Sequence, residues 1–355
     1  MRGLAKLKKA AAAVLALLGA RALLAGGGLA LSGGTDGLLS AALSLELGLP
    51  SEAAGPEASP SPAADASPER TPDSYISIVP TPSPSPDAEE AEVTPPSVDS
   101  DGTPIVETTI YSGVSIKNAT DIDIDTAALL SAGPPQTLPA EGPQILIVHT
   151  HGSEAYTPDS RDYYEETDTD RTEDKNYNVI RVGDELAAAL TELGLNVLHD
   201  REIYDYPSYT GSYSRSGAAV EEYLAEYPDI AVVIDLHRDA LGDEDVTYKT
   251  VAELTGERSS QVMMLVGTGE SGLWHPNWEQ NLRLALYLQD AVNDMYPTLM
   301  RPVSVTSERY NQHLTTGSMI LEVGSNGNTL REALNAVRLF AAAAGPALLE
   351  LVEGQ

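Results

Sequence analysis

The chain has 355 residues, a formal net charge of −32 at pH 7 and no cysteine. The absence of cysteine excludes disulfides, thiolate metal sites and cysteine nucleophiles, so any metal must be bound by histidine or carboxylate side chains. The acidity argues against nucleic acid as a partner, because a phosphate backbone would be repelled.

Residues 1–32 have the pattern of a membrane-insertion segment. Four basic residues between positions 2 and 9 precede a largely apolar stretch, which Arg21 interrupts. Basic residues before an apolar run of about 20 residues keep the amino end inside and send the rest of the chain out of the cytoplasm. A cleaved signal peptide and a retained single-pass anchor both have this pattern. We favour the anchor, because no small-x-small cleavage site stands out.

Residues 33–140 are predicted to be a disordered linker. Proline-rich runs such as residues 80–86 alternate there with alanine and acidic side chains. Such a segment cannot bury enough apolar surface to offset its ordering entropy. Two stretches inside it, 105–110 and 116–124, have strand character and are candidates for pairing with the edge of the next domain.

Residues 141–355 are predicted to form one α/β domain. Strands are expected at 145–148, 195–198, 230–236, 248–254, 261–266 and 319–323, and helices at 175–190, 214–227, 278–295 and 330–351. Uninterrupted apolar strands are typical of a sheet that is covered on both faces. The alternation of strands and helices predicts a three-layer αβα sandwich with a mostly parallel central sheet.

Ionisable side chains follow or interrupt three of these strands. They are His149, His151 and Glu154 after the first strand, His237, Arg238 and Asp239 after the third, and Glu322 inside the last. Ligands gather beyond the carboxyl ends of strands in an open parallel sheet, so we expect these side chains to meet. Two imidazoles and one carboxylate would hold a water-activating zinc ion, and Glu322 would serve as the general base.

Simpler interpretations of the same residues stay open. Glu322 could form a salt bridge with Arg238, and His237 could be a core histidine bonded to a backbone carbonyl. His149 lies two residues before His151, so both point to the same face in an extended chain. His149 therefore either binds the metal instead of His151 or supports His151 as a ligand.

Four stretches, residues 149–156, 206–216, 233–240 and 321–329, carry a resemblance to a known family. They include His149-Thr-His151-Gly-Ser-Glu154 and Asp235-Leu-His237-Arg238-Asp239. Together they resemble the stage II sporulation protein P family, the membrane-anchored cell-wall hydrolases of endospore formers. The resemblance covers residues 143–350 in order, and a more distant one links the chain to zinc N-acetylmuramoyl-L-alanine amidases.

The resemblance implies a zinc-dependent peptidoglycan hydrolase that cleaves the amide between N-acetylmuramic acid and L-alanine. It leaves open whether stem-peptide cross-links are also cut. It further implies work in septal thinning and engulfment during sporulation, with the catalytic domain outside the cytoplasm. The implied partner is a lytic transglycosylase of the stage II sporulation protein D type.

Carried over by residue, the resemblance gives His151 and His237 the two histidine places at the zinc and Glu322 the catalytic place. The carboxylate ligand remains ambiguous. The first motif of the sporulation family supplies Glu154, whereas the position used in the general amidases corresponds to Glu173 or its neighbour. We favour Glu154 and keep Glu173 as the alternative.

Five further residues complete the predicted site. Arg238 is given a catalytic role, binding a stem-peptide carboxylate, and the alternative is an ion pair with Asp239. Tyr209 and Arg215 either line a glycan groove or form the packing edge of the next helix. Asp239 is assigned to substrate binding, and Asn326 either bonds the substrate or caps the last helix.

Two other functions fit the same residues. The His-x-x-Glu spacing with a later histidine also occurs in zinc exopeptidases of the carboxypeptidase type. A non-catalytic module that binds the cell wall at the end of a tether is the second alternative.

Overall fold

A mostly parallel sheet of eight strands organises the part of the chain that the computed structural model describes, residues 108–111, 113–242, 246–252, 254, 256 and 258–354. In chain order the strands are β1 (Thr108–Tyr111), β2 (Val114–Asn118), β3 (Ile145–Val148), β4 (Val197–His199), β5 (Val232–Asp239), β6 (Val262–Gly267), β7 (Val303–Thr306) and β8 (Ser318–Ser325). The helices are α1 (Thr126–Ala132), α2 (Val179–Glu192), α3 (Ser212–Glu226), α4 (Trp278–Met295) and α5 (Leu330–Leu349), with a 3-10 turn at Gln312–Leu314.

The strands lie side by side in the order β1-β2-β7-β6-β8-β5-β3-β4. Neighbouring strands are parallel except for β1 with β2 and β6 with β8, which are antiparallel. The carboxyl ends of β3, β5 and β8 therefore share one edge of the sheet, the place where parallel sheets collect ligands. The carboxyl end of β6 lies at the opposite edge.

The residues of β3 alternate between two hydrophobic cores, as the period of two in a strand requires. Ile145 and Ile147 lie in the larger core together with apolar side chains of α2, α4 and α5. Leu146 and Val148 lie in a smaller core that is covered by α3. Helices thus pack on both faces of the sheet, and the predicted three-layer α/β fold is confirmed.

Most predicted elements are present, with shifted ends. Helix α4 coincides with its prediction, whereas α2 begins only at Val179 because the side chain of Asn178 accepts a hydrogen bond from the Ile180 amide and caps the helix. The predicted strand at 248–254 is wrong, since the described residues of this segment make only isolated bridges such as Ala252 with Ser259. Strand β7 was not predicted, because its sequence Val-Ser-Val-Thr has no apolar run like that of β3 and is too short to show a period.

The described fold includes residues that we placed in the linker. Strand β2 pairs in parallel with β7, and the Arg283 side chain of α4 donates hydrogen bonds to the carbonyls of Ala132 and Gly133 at the end of α1. The stretch 116–124 thus pairs with the sheet edge through its first residues, as its strand character allowed.

The predicted anchor at residues 1–32 and most of the predicted linker lie outside the described residues. None of the helices in the described part of the chain is both long and apolar enough to cross a membrane.

Candidate active site

Three buried side chains converge at the carboxyl ends of β3 and β5. His151, Glu154 and His237 each place one potential ligand atom within 4.8 Å of the other two. The Oε1 atom of Glu154 lies 3.6 Å from His151 Nδ1, and its Oε2 atom lies 3.3 Å from His237 Nδ1. A tight turn after β3, closed by the hydrogen bond from the Glu154 amide to the His151 carbonyl, brings the first two together.

This group has the donor chemistry of a metal site. Two imidazoles and one carboxylate are ligands that zinc prefers, and a site with three protein ligands leaves a fourth position for a substrate or water. His151 Nε2 is buried without a hydrogen-bond partner, which is costly unless another group satisfies it. The group can therefore hold a metal ion. Glu173 is exposed and outside this group, so the structure brings Glu154, not Glu173, to the two histidines.

The charges of the group are arranged around a positive centre. Burial alone would raise the pKa of Glu154, but its contacts with His151 and His237 hold that pKa well below its ordinary value. Burial alone would lower the pKa of His237, but Asp235 and Glu154 hold it well above its ordinary value. A cation at this position is therefore favoured by the neighbouring carboxylates, and metal binding would displace a proton from His237.

Asp235 supports His237 from behind and was given no role from the sequence. Its Oδ1 atom lies 2.9 Å from His237 Nε2, on the side of the ring that faces away from Glu154. The amide and hydroxyl of Thr150 donate hydrogen bonds of 2.8 and 2.6 Å to the Asp235 carboxylate and fix its position. A carboxylate behind a histidine ligand orients the ring and selects its tautomer. The signal was visible as an aspartate in a buried strand, two residues before a histidine and on the same face.

Glu322 lies directly across from His237 in the register of β5 and β8. Its Oε2 atom is buried without a hydrogen-bond partner, and the described residues offer it no ion pair with Arg238 or any other cation. Burial raises the pKa of Glu322 to about 8, and the nearby Glu154 carboxylate acts in the same direction. A carboxyl group with a pKa near neutrality is suited to proton transfer.

The structure does not support the predicted catalytic role of Arg238. Its guanidinium is buried and donates to the carbonyls of Ala155 at 2.7 Å and Asp170 at 2.9 Å. Its backbone amide lies 3.2 Å from the Glu154 carboxylate. Arg238 therefore holds the loop that carries Glu154, because a buried guanidinium requires acceptors and finds them in that loop's backbone.

Asp239 and Asn326 also have partners other than a substrate. The Asp239 carboxylate pairs with the Arg301 guanidinium at 2.7 Å, which also excludes the alternative ion pair with the preceding arginine. Asn326 donates to the Asp170 carboxylate at 3.0 Å and ties the end of β8 to the loop after β3. The last helix is capped by Thr329 in a capping box, so Asn326 is not the cap.

His149 points away from the group and into the interface with α2. Its Nδ1 donates to the Leu236 carbonyl at 2.8 Å, and its Nε2 lies 2.8 Å from His199 Nε2. A methyl group on Gly183 would lie 2.6 Å from both Nε2 atoms, so this helix approaches the pair as closely as glycine permits. Burial lowers the pKa of His149 to about 3, so the ring is neutral. The expectation that His149 and His151 share a face is wrong, because the chain leaves the strand between them.

Tyr209 reaches the site, whereas Arg215 acts at a distance. The Tyr209 ring stacks on the His151 ring with 4.6 Å between centroids and 23° between planes. Arg215 donates to backbone carbonyls of the loop that precedes α3, those of Tyr204, Ser208 and Thr210. Arg215 thus fixes the loop that presents Tyr209, and its donors are not directed at a ligand.

Two more residues of the site carried no signal in the sequence. Arg171 lies 3.4 Å from the Glu154 carboxylate and 5.2 Å from the Tyr209 ring, although it is 17 residues beyond Glu154 in an acidic loop. Tyr310 packs against Tyr213, whose ring in turn contacts the His151 ring, and Tyr310 has a positive φ of 53°. Non-glycine residues in that conformation are strained and are enriched near functional sites.

The chain is similar in sequence to the stage II sporulation protein P family. The family model described as stage II sporulation protein P matches residues 83–344. Stage II sporulation protein P of Bacillus subtilis (strain 168) is 28% identical over 219 residues, which cover 59% of this chain and 52% of that protein. The chain therefore spans about half the length of the curated relative it matches.

Solved structures of amidases are similar at low identity. AmiC2 of Nostoc punctiforme, an N-acetylmuramoyl-L-alanine amidase, is 11% identical, with 59% of this chain and 97% of that chain covered and a TM-score of 0.34. The CwlD amidase from Clostridioides difficile, solved in complex with the GerS lipoprotein, is 11% identical, with 59% and 98% covered and a TM-score of 0.35. The candidate site residues are therefore assigned from the distances and contacts described above.

We expect His237→Ala to abolish stoichiometric zinc binding, because it removes one of three converging donors. The matched variant His149→Ala should retain zinc, since that ring faces α2. Zinc per folded protein, measured by elemental analysis after dialysis, distinguishes the two. Zinc retained by the first variant or lost from the second, with folding verified by circular dichroism, would contradict the assignment.

Asp235→Asn should weaken zinc binding by about 10- to 100-fold without abolishing it, because the carboxylate only orients His237. The affinity is measured by competition with a chromogenic chelator. Asp239→Asn serves as the control, because that carboxylate pairs with Arg301 and should leave zinc affinity unchanged. Equal affinities in the two variants would show that Asp235 has no role in positioning the ring.

Glu322→Gln should stabilise the metal-free protein in a pH-dependent way. The pKa of Glu322 is about 8 in the folded state, so this carboxyl's contribution to stability is fully present below the unfolded pKa of about 4.5 and is lost as the pH rises to 8. The variant should gain on the parent by on the order of 1 kcal/mol per pH unit in that window. Urea unfolding in EDTA measures this difference, and the exposed Glu173→Gln provides the control. A difference that does not change with pH would contradict the buried position of Glu322.

Proposed function

Because the chain belongs to the stage II sporulation protein P family, we propose that it is a zinc-dependent peptidoglycan hydrolase that cleaves the N-acetylmuramoyl–L-alanine amide. The single observation that carries this proposal is the buried group of His151, Glu154 and His237 beside the Glu322 carboxyl. The biological setting that we propose with it is sporulation, in septal thinning and engulfment.

The proposed roles follow from the positions of the side chains. His151, Glu154 and His237 hold the zinc ion, which when bound polarises a carbonyl and lowers the pKa of water. Asp235 orients His237, and Arg238 keeps the loop of Glu154 in place. These supports preorganise the donors, so that little structural change is needed when the substrate binds.

Glu322 is the group that moves the proton. In amide hydrolysis, water adds to the carbonyl carbon, and the nitrogen must gain a proton before the carbon–nitrogen bond breaks. Glu322 takes a proton from the attacking water and delivers it to the leaving nitrogen, which departs as the amino group of L-alanine. Its raised pKa suits a carboxyl that must both accept and release a proton near neutral pH.

Tyr209 is the described side chain that we propose for substrate contact. Its ring lies over His151 and is largely exposed, so a sugar or peptide group that approaches the zinc site would meet it. Arg215 maintains the loop conformation that presents it.

The location and the partner belong to the same proposal. The basic and apolar pattern of residues 1–32 supports a single-pass anchor in the cell membrane, with the described domain outside the cytoplasm in the septal space. A lytic transglycosylase of the stage II sporulation protein D type is the proposed partner, supported by the resemblance of the family motifs.

A zinc exopeptidase is the second candidate, favoured by the spacing of His151 and Glu154 with the later His237. The two reactions leave different products from intact sacculi. The amidase releases stem peptides with a free L-alanine amino end and no muramic acid, whereas the exopeptidase shortens peptides from their carboxyl ends. Mass spectrometry of the released and retained fragments, with the full-length chain as enzyme, decides between them. Peptides that are shortened while every sugar–peptide amide stays intact would rule out the amidase.

We expect Glu322→Gln to keep its zinc and to lose wall clearing by about 10²- to 10⁴-fold, because an amide side chain cannot transfer the proton. The rate is followed as the fall in turbidity of purified sacculi. Glu173→Gln makes the same chemical change at an exposed glutamate and should clear walls at the parent rate. Normal clearing by Glu322→Gln would show that another group is the base.

A further inference from the structure

A second group of nitrogen-bearing side chains lies outside the candidate active site. His275 is only 6% exposed, and both of its ring nitrogens are buried without a hydrogen-bond partner. His313 Nδ1 and Arg309 Nε are also buried without a partner. The two imidazole rings are nearly perpendicular, with 6.5 Å between their centroids. We call His275, Arg309 and His313 the basic cluster.

The basic cluster is separate from the metal-binding group. His275 lies in the loop after β6, and Arg309 and His313 lie between β7 and β8. β6 runs antiparallel to β8. The loop after β6, which carries His275, therefore leaves the sheet at the edge opposite to the one that carries His237. Glu322 is four residues beyond the start of β8 at Ser318, a separation of roughly 13 Å along the strand. None of the three residues of the basic cluster belongs to the group of His151, Glu154 and His237, and among the described residues none contacts that group.

At least two of the unpaired nitrogens of the basic cluster are donors that require an acceptor. Each neutral imidazole has one N–H group, and the guanidinium of Arg309 is always a charged donor. Arg309 makes one hydrogen bond to the described residues, a long one of 3.5 Å to the Trp274 carbonyl, and its Nε has no partner among them. Buried donors without acceptors are rare in folded proteins, and two at one place, the N–H of His275 and the Nε–H of Arg309, indicate that a ligand completes them.

Charge decides which kind of ligand fits. Burial is the main cause that lowers the pKa of His275 to about 4, and the neighbouring His313 and Arg309 lower it further. A metal cation would be repelled by Arg309, and the described residues provide no third histidine or carboxylate ligand there. Glu221 is the carboxylate whose charge reaches His313, but the two form no ion pair. An anion is therefore favoured over a cation, and in a chain with a net charge of −32 such a site is exceptional.

An apolar surface adjoins the basic cluster. Trp274 is 73% exposed and Leu273 is 50% exposed, and both directly precede His275 in the same loop. A large exposed tryptophan beside unpaired donors favours a ligand that offers an apolar or ring-shaped part next to its negative charge. Inorganic anions lack such a part, whereas peptides that carry carboxylates have it.

We propose that the basic cluster binds a carboxylate of a peptidoglycan stem peptide, whose neighbouring apolar part packs on Trp274. The identity of the peptide rests on the proposed function, whereas the preference for a carboxylate rests on the cluster alone. Such a site would hold a second stem peptide while the first one lies at the metal-binding group.

Fluorescence titration of the full-length chain tests this proposal. The probes are a free stem peptide and the same peptide with its carboxylates amidated, and the Trp274→Phe variant is used to subtract the signal of Trp278. The free peptide should change the Trp274 emission, and the amidated peptide should bind at least about tenfold more weakly. Equal binding of the two peptides, or no change in Trp274 emission, would overturn the proposal.

A matched pair of variants locates the binding. Arg309→Gln should weaken binding of the free peptide by about tenfold or more and leave the amidated peptide unaffected. Arg258→Gln removes the same charge from an exposed side chain and should bind like the parent. Parent-like binding by Arg309→Gln would overturn the assignment. All titrations use the Glu322→Gln background, so they need no hydrolysis, and a failure of the proposed enzymatic function would appear separately in the wall-clearing assay.

Discussion

The parallel pairing of β5 with β3 on one side and with β8 on the other is the constraint on which the rest of the site depends. It brings together residues that are far apart in the chain and sets Glu322 opposite His237. Parallel strands also require long connections, and the helices in these connections cover both faces of the sheet and bury its strands. The loop after β3 then needs only a tight turn to bring His151 and Glu154 to the same point.

The buried charges around this point are balanced by one another. Glu154 and Asp235 lie on opposite sides of the His237 ring, while Arg238 and Arg171 hold the loop that carries Glu154. Isolated charges in such a position would be costly, and removal of one partner would leave the others uncompensated. The result is a set of two imidazoles and one carboxylate whose positions are fixed before a divalent cation binds.

The six histidines of the chain illustrate how differently one residue type is used. His149 and His199 share a hydrogen bond beneath α2 and contribute to packing. His151 and His237 flank the Glu154 carboxylate and are the candidate ligands. The ring nitrogens of His275 have no hydrogen-bond partner among the described residues, and the His275 ring lies beside that of His313. Local sequence alone does not separate these uses, because the partner of each ring comes from another strand or helix.

The local patterns of the sequence were sufficient for the fold class and for the stretches that supply the candidate ligands, but not for the choice among the residues within those stretches. Apolar runs and helical periodicity depend on neighbouring residues, so strands such as β3 and helices such as α4 were predictable, and an ionisable residue inside a buried run marked Glu322. The tertiary structure alone decided the choice of Glu154 over Glu173, the turning of His149 towards α2, and the use of Arg238 as a support for a loop. Each of these depends on which distant atoms lie within hydrogen-bonding reach. That is set by the register of the sheet and the path of the loops, which are not encoded by any one segment of the chain.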